Sequence, residues 1–324
     1  EDFKGENLIT GTIKGVAENR TPTVYFLSGH GEKSLDSYTK FTTNLTNYNY
    51  AAKELNLSET DSVPDDAALV LVAAPSKDIT DAEAEKLNAY LDNGGNISLL
   101  VSPNGGAFAY TNLEAIMKDY GFYMDYDRVS ETNSNYHISG DKYTIQCELN
   151  ELDDDSEATD LTSSLLNQGL YTFMPESRSF RYNNEGGKYT IAPLITTYDS
   201  AEGEPYGGVS DDPEKQSGQM LLAADSTSIA RNDSKMVVFG NAEFIDDEHV
   251  SDDTVIVPVY LFLSTISWMY DSDIDMEIST KSTTNDYISL QDAGFAKGLM
   301  VVLTVIPVAI MAAGIGIWIK RRNS

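Results

Sequence analysis

The chain has 324 residues, 41% of them hydrophobic and 23% charged, with a formal net charge of -29. Residues 1–296 hold 51 acidic against 18 basic side chains, and a field of that sign repels nucleic acid and anionic lipid headgroups, which excludes a nucleic-acid-binding role. A single cysteine, Cys147, excludes an intrachain disulfide, so the fold must rest on its apolar core.

Leu8, Ile9, Ile13 and Val16 fall at near-helical spacing and predict an opening amphipathic helix over 7–18. Thr23 to Leu27 reads as a buried strand, stopped by Ser28-Gly29-His30-Gly31-Glu32. Leu35, Tyr38, Phe41 and Leu45 mark one face of a helix. Tyr50 to Leu57 reads as a second, more exposed strand, and Leu69 to Ala74 as a third that is apolar on both faces and ended by Pro75. Thr80-Asp81-Ala82-Glu83 is a capping box. It opens a helix with Ala84, Leu87 and Leu91 inward and Gly94-Gly95 as the C-cap. Ile97 to Val101 is the fourth strand, and Leu113 to Tyr120 a helix ended by Gly121. Apolar strands alternating with amphipathic helices predict an α/β fold. The expected form is a flavodoxin-like, doubly wound parallel sheet with helices on both faces.

The pattern breaks near Asp125. Residues 125–218 are polar and rich in Tyr and Asn, with short alternating stretches such as Tyr143 to Cys147 and Tyr189 to Ala192, and predict a β-rich insertion with long loops. Two of these loops, Glu151 to Asp160 and Ser200 to Gly218, are expected to be mobile. Met220 to Ala224 and Met236 to Phe239 read as buried strands that return to the first sheet, and Val257 to Tyr270 as an apolar helix containing Trp268. The organisation expected is therefore an α/β domain begun by 1–124 and completed by 219–270, an insertion over 125–218, a polar linker over 271–296, a transmembrane helix over 297–319 and a basic tail over 320–324. Gly298 to Ile319 is a run of 22 uncharged residues followed by Lys320, Arg321 and Arg322. As a helix it spans about 33 Å, enough for a hydrocarbon core of ~30 Å. The basic residues beyond it predict a cytoplasmic C-terminus, a large extracytoplasmic domain and a cell-membrane location. An outward-facing domain needs an export signal or a membrane segment upstream of Glu1.

Ligands of open parallel sheets sit beyond the carboxyl ends of the strands. Those ends carry Gly29, His30, Gly31 and Glu32, then Ser102 and Asn104, then Asn241 and Glu243, and these eight are the candidate ligand-binding residues. Glycines on both sides of His30 let the backbone come close to a ligand, and imidazole and carboxylate can bind or pass protons. The same four residues also suit a tight strand-to-helix turn, with His30 bonded to backbone and Glu32 near a helix N-terminus. A nucleophile is not in place for acyl transfer. The turn after the fourth strand carries Ser102-Pro103-Asn104 instead of a cysteine, Cys147 lies on an alternating strand of the insertion, and no G-x-S-x-G occurs. Asp271, Asp273 and Asp275 start like a calcium loop but meet Met276 and Ser282 where glycine and glutamate are needed. Calcium on the acidic loops stays open. His30, His137 and His249 show no close pairing for zinc, and no phosphate loop is present. No metal or cofactor is expected.

Several runs, taken in order, resemble one family. Thr23-Val-Tyr-Phe-Leu-Ser-Gly-His-Gly-Glu32 is similar to the strand and turn of GldG-like proteins, auxiliary components of ABC transport systems first associated with gliding motility. Val63 to Pro75, Leu87 to Ile97 with Leu99 to Pro103, and Met236 to Phe244 with the following apolar helix and C-terminal span extend the resemblance over most of the chain. It implies an extracytoplasmic domain of class I glutamine-amidotransferase-like fold without the nucleophile, with a membrane permease and a cytoplasmic ATPase as partners. The leading expectation is a non-catalytic accessory subunit of an ABC-type complex, its outer domain binding substrate or a partner protein and its C-terminal helix in the bilayer. Two alternatives stay open: a membrane-anchored hydrolase or amidotransferase relative using His30 and Glu32, and a wall-binding or adhesion protein.

Overall fold

The computed structural model describes residues 21–270, apart from 106–107, 153–155, 157, 170, 185–186, 208–215 and 253, together with Arg322. The predicted opening helix, the linker and its aspartates, and the C-terminal span lie outside the described residues. Among the described residues no helix is long and apolar enough to cross a membrane.

The first half builds a parallel sheet. β1 (Thr23–Leu27) is buried at all five positions. A 3-10 turn at Leu35–Tyr38 leads into α1 (Thr39–Asn47), which turns Phe41 and Leu45 inward. β2 (Ala51–Leu55) is the half-exposed edge, and β3 (Ala67–Ala73) is buried almost throughout. α2 (Asp81–Asp92) begins with the full capping box, Thr80 and Glu83 each bonding the other's backbone, which satisfies two otherwise unpaired N–H groups. β4 (Ile97–Leu100) and α3 (Thr111–Lys118) follow.

The stretch read as an insertion adds strands to the main sheet and forms a second, smaller sheet. It supplies β5 (Phe122–Met124), β6 (Asp127–Glu131), β7 (His137–Ile138), β8 (Asp141–Leu149), a short α4 (Ser163–Asn167), β9 (Thr172–Met174), β10 (Phe180–Tyr182), β11 (Tyr189–Thr196), β12 (Ala201–Pro205) and β13 (Gln216–Ser217). β14 (Leu221–Ser228), β15 (Ser234–Phe239) and α5 (Ile256–Met269) complete the fold. The main sheet runs β2-β1-β3-β4-β15-β14-β11-β8-β7, and β13-β12-β6 form a second sheet. Ala201–Pro205, expected to be mobile, is instead a strand paired along its length with β6.

The five strands from β2 to β15 are parallel, the flavodoxin-like half of the expectation. The purely parallel sheet is corrected: β14, β11 and β8 continue the sheet antiparallel. The reason is the connection. Only a short turn separates β14 from β15, with Asn232 and Asp233 at φ 52° and 57°, and so short a link can join only antiparallel neighbours.

Strand alternation sends two apolar sets to opposite faces. Val24, Phe26, Leu69, Leu71, Val237 and Phe239 meet α1 and α5, while Tyr25, Leu27, Val70, Val72, Met236 and Val238 meet α2 and α3. On the first face Phe262 of α5 stacks on Phe41 at 5.6 Å and meets Phe239 and Phe244 edge-on at 5.6 and 5.9 Å. Cys147 is buried, and burial pushes its thiol well up, which suppresses thiolate chemistry. Phe262→Ala should cost about 3–5 kcal/mol, read as a lower urea midpoint at constant slope; a loss below about 1 kcal/mol would show that α5 does not close this face.

Candidate functional site

The carboxyl ends of the parallel strands gather all eight predicted residues at one edge, but in two groups. The first is the turn after β1. Gly29 and Gly31 take φ of +111° and +87°, conformations that L side chains avoid. A Cβ on Gly31 would also collide with Ser76. The His30 carbonyl accepts N–H bonds from Ser76 and Lys77 at 2.9 and 3.1 Å. This seals the crevice between the loops after β1 and β3, where the strand order reverses and flavodoxin-like sheets hold their ligands.

His30 is 3% exposed. Its N–H donates to Glu32 Oε2 at 2.6 Å, its Nδ1 lies 3.3 Å from Glu32 Oε1, and its Nε2 lies 3.0 Å from Glu83 Oε2. Both nitrogens can donate only in the imidazolium form. The bond to Glu32 raises the His30 pKa, burial opposes it, and the bond to Glu83 adds to the rise. Burial pushes Glu83 up, but bonds from the Thr80 hydroxyl and amide and from His30 outweigh it and leave the carboxyl below its ordinary value. Glu32 is thus bonded to the turn itself and to the imidazole. Glu83 was legible as a capping residue, but its 53-residue separation from His30 left no sequence signal for this contact.

The second group lies after β4 and β15. Ser102 Oγ accepts the Ala242 N–H at 3.1 Å. Asn241, fully buried, accepts the Glu243 N–H at 2.6 Å and donates to the Glu176 carbonyl at 3.2 Å. Burial raises the Glu243 carboxyl. Asn104 donates to the Tyr110 hydroxyl at 3.2 Å, and that hydroxyl donates to the Pro75 carbonyl at 2.5 Å. Lys33 joins the loops after β1 and β15 through Asp246 at 2.6 Å. Asp246, Glu248 and His249 bring ligand-type atoms within 4.8 Å of one another, but Lys33 and His249 hold the two oxygens of Asp246.

One participant was not foreseen. The segment from Glu176 to Ser179, between β9 and β10, crosses this edge. Arg178 donates its N–H to the Gly240 carbonyl at 3.0 Å, and a Cβ on Gly240 would collide with the Arg178 backbone. Ser177 accepts the Val129 N–H at 2.8 Å, and Ser179 N–H donates to Asp127 at 2.9 Å. Main chain therefore covers positions left open in a simple α/β sheet.

The family described as ABC-type uncharacterized transport system matches residues 21–259. The chain belongs to this family of auxiliary transport components. Among curated proteins none matches it. Among solved structures, the mmIFT52 N-terminal domain is similar in fold, at 17% identity and a TM-score of 0.57, over 78% of this chain and 99% of that one. A putative ThuA-like protein from Bacteroides uniformis aligns at 13% identity and a TM-score of 0.42, over 77% and 92% of the two chains, too distant to inform the fold.

The raised His30 pKa fixes a sign. The stabilisation from its charged contacts is fully present below the ordinary histidine value and fades as pH rises through the higher folded value. Glu83 contributes above its unfolded carboxylate value and loses that contribution as pH falls through its lower folded value. His30→Asn should therefore cost most in the window between these two folded values, about 3 kcal/mol for opening a buried pair, with the difference from wild type shrinking at higher pH. Urea midpoints measured across pH check this; a difference that grows on the alkaline side contradicts it.

Proposed function

We propose that this auxiliary component is a non-catalytic, membrane-anchored subunit of an ABC-type transport complex. Its α/β domain stands outside the cell membrane and binds a substrate or a partner protein at the carboxyl edge of the sheet, near Ser102, Asn104, Asn241 and Glu243. Its C-terminal span packs beside the permease, with the ATPase on the cytoplasmic side. The observation that carries this reading is the engagement of His30. A general base needs a nitrogen free to take a proton from substrate, whereas both His30 nitrogens face carboxylates in a buried turn. The other candidate nucleophiles are committed elsewhere: Cys147 is buried and Ser102 Oγ holds a backbone amide. The amidotransferase-like elbow after β4 leads into Ser102-Pro103, and a proline there disfavours a nucleophile turn. The apolar run 298–319 and its basic flank support the anchor and its orientation.

Affinity purification of the tagged full-length chain from membranes in mild detergent tests this. A permease and an ATPase subunit should co-purify in fixed ratio, and Glu32→Gln should leave that ratio and the ATP turnover of the complex unchanged. Recovery of the chain alone supports an adhesin instead. Hydrolytic turnover by the isolated chain, abolished by Glu32→Gln, supports the enzyme.

A further inference from the structure

Several buried charges among the described residues are matched. His30 lies between Glu32 and Glu83, Asp246 between Lys33 and His249, Arg231 between Asp92 and Asp119, and Asp125 beside Arg181. Arg178 departs from this pattern, as does Asp225, which is 1% exposed with one carboxylate oxygen lacking a hydrogen-bond partner. Arg178 is 0% exposed, the largest fully buried side chain among the described residues. Among those residues no carboxylate lies within ion-pair distance of its guanidinium. Its Nε has no acceptor, and its Nη1 donates only to Met124 Sδ. An isolated buried ion costs several kcal/mol even after relaxation (on the order of the effective desolvation penalty in real proteins).

The surroundings reduce that cost without removing it. The guanidinium carbon lies 5.6 Å from the Tyr110 ring centroid and 5.4 Å from that of Tyr126, and both ring faces attract the cation. The hydroxyls of these rings are directed elsewhere, Tyr110 to Pro75 and Tyr126 to Glu114. Asp127 and Glu114 act on Arg178 only at longer range, and both are occupied, Asp127 by the amide and hydroxyl of Ser179 and Glu114 by Tyr126. The result is a buried guanidinium with an unfilled donor inside an aromatic box. Its position is fixed by the backbone bond to Gly240 at the carboxyl end of β15, the edge at which parallel sheets hold their ligands. Asn104 borders the box through its bond to Tyr110, and a Cβ added at Gly105 would lie 3.5 Å from the Tyr206 ring.

We propose that Arg178 anchors a binding site for a small oxyanion, a carboxylate or a phosphate group, at the carboxyl ends of β4 and β15. The planar guanidinium offers such a group two parallel N–H donors. Tyr110 and Tyr126 exclude water and strengthen the contact. In a domain this acidic an inward guanidinium also sets selectivity. The bulk field repels anions, so only a group that reaches the arginine fork is held. The proposal does not depend on the accessory-subunit reading; an enzyme or an adhesin could carry the same site.

The test is calorimetric titration of the full-length chain in detergent with inorganic phosphate and, separately, with acetate and succinate, at constant ionic strength set by chloride. The Nε–H resonance of Arg178, assigned by its loss in Arg178→Lys, is followed in parallel. Saturable binding of phosphate or of a carboxylate that shifts this resonance is expected, and the anion that saturates identifies the class. Arg178→Lys should weaken binding at least about tenfold through loss of the fork geometry, and Arg178→Gln should abolish it. The proposal is overturned if neither anion class saturates, if binding leaves the Nε–H resonance unmoved, or if Arg178→Gln binds as wild type does. Should Arg178→Gln fail to fold, the wild-type resonance and the lysine variant decide.

Discussion

A buried imidazole held between two carboxylates is the constraint on which the edge of this sheet depends. His30 ties its own turn through Glu32 and ties that turn to the start of α2 through Glu83. The same Glu83 oxygen accepts both Thr80 groups of the capping box, so helix initiation and loop closure share one acceptor. Because His30 is fixed, its carbonyl meets the amides of Ser76 and Lys77, and the crevice at which the strand order reverses is filled by main chain. Chemistry that needs an accessible base at this turn is disfavoured by the geometry that stabilises the turn.

The rest of the edge follows from the way the chain returns to the sheet. β14 enters as one arm of a tight hairpin, so the sheet changes from parallel to antiparallel at β15. That change gives β10 and β11 a place beside β14 and brings Glu176 to Ser179 across the ends of β4 and β15. Gly240 is the permissive point, since any side chain there would meet the Arg178 backbone. The fold thus combines a flavodoxin-like half, tied together by the loops after β1 and β3, with an antiparallel half that lays an arginine over the opposite end of the same edge.

Much of this was legible in the residues. Thr23 to Leu27 is a run apolar on both faces, and it emerges as β1; Thr80 and Glu83 stand at capping-box spacing, and both halves of that box form. The positions of the candidate residues at strand ends were readable because a strand stops where glycine, proline and serine cluster. What could not be read is of another kind. His30 and Glu83 are 53 residues apart and Arg178 and Gly240 are 62 apart, and no periodicity encodes such meetings. The polar stretch after Asp125 reads as a β-rich, loop-rich insertion because its strands are short and amphipathic. Their burial comes from packing beside β14 and from pairing with one another, which composition does not report. Arg178 is hidden for the same reason: an arginine between two serines, with Arg181 three residues on, reads as surface.

The central claim is that His30 is a locked structural cation. The direct measurement is the imidazole nitrogen spectrum of the full-length chain across pH, with each histidine assigned by substitution. The account predicts that both His30 ring N–H signals persist above the pH at which an ordinary histidine titrates, slow to exchange with solvent, and that His30 resists diethyl pyrocarbonate while His137 and His249 react. A His30 that titrates near the ordinary value of about 6.5 and is modified as fast as the other two would contradict it.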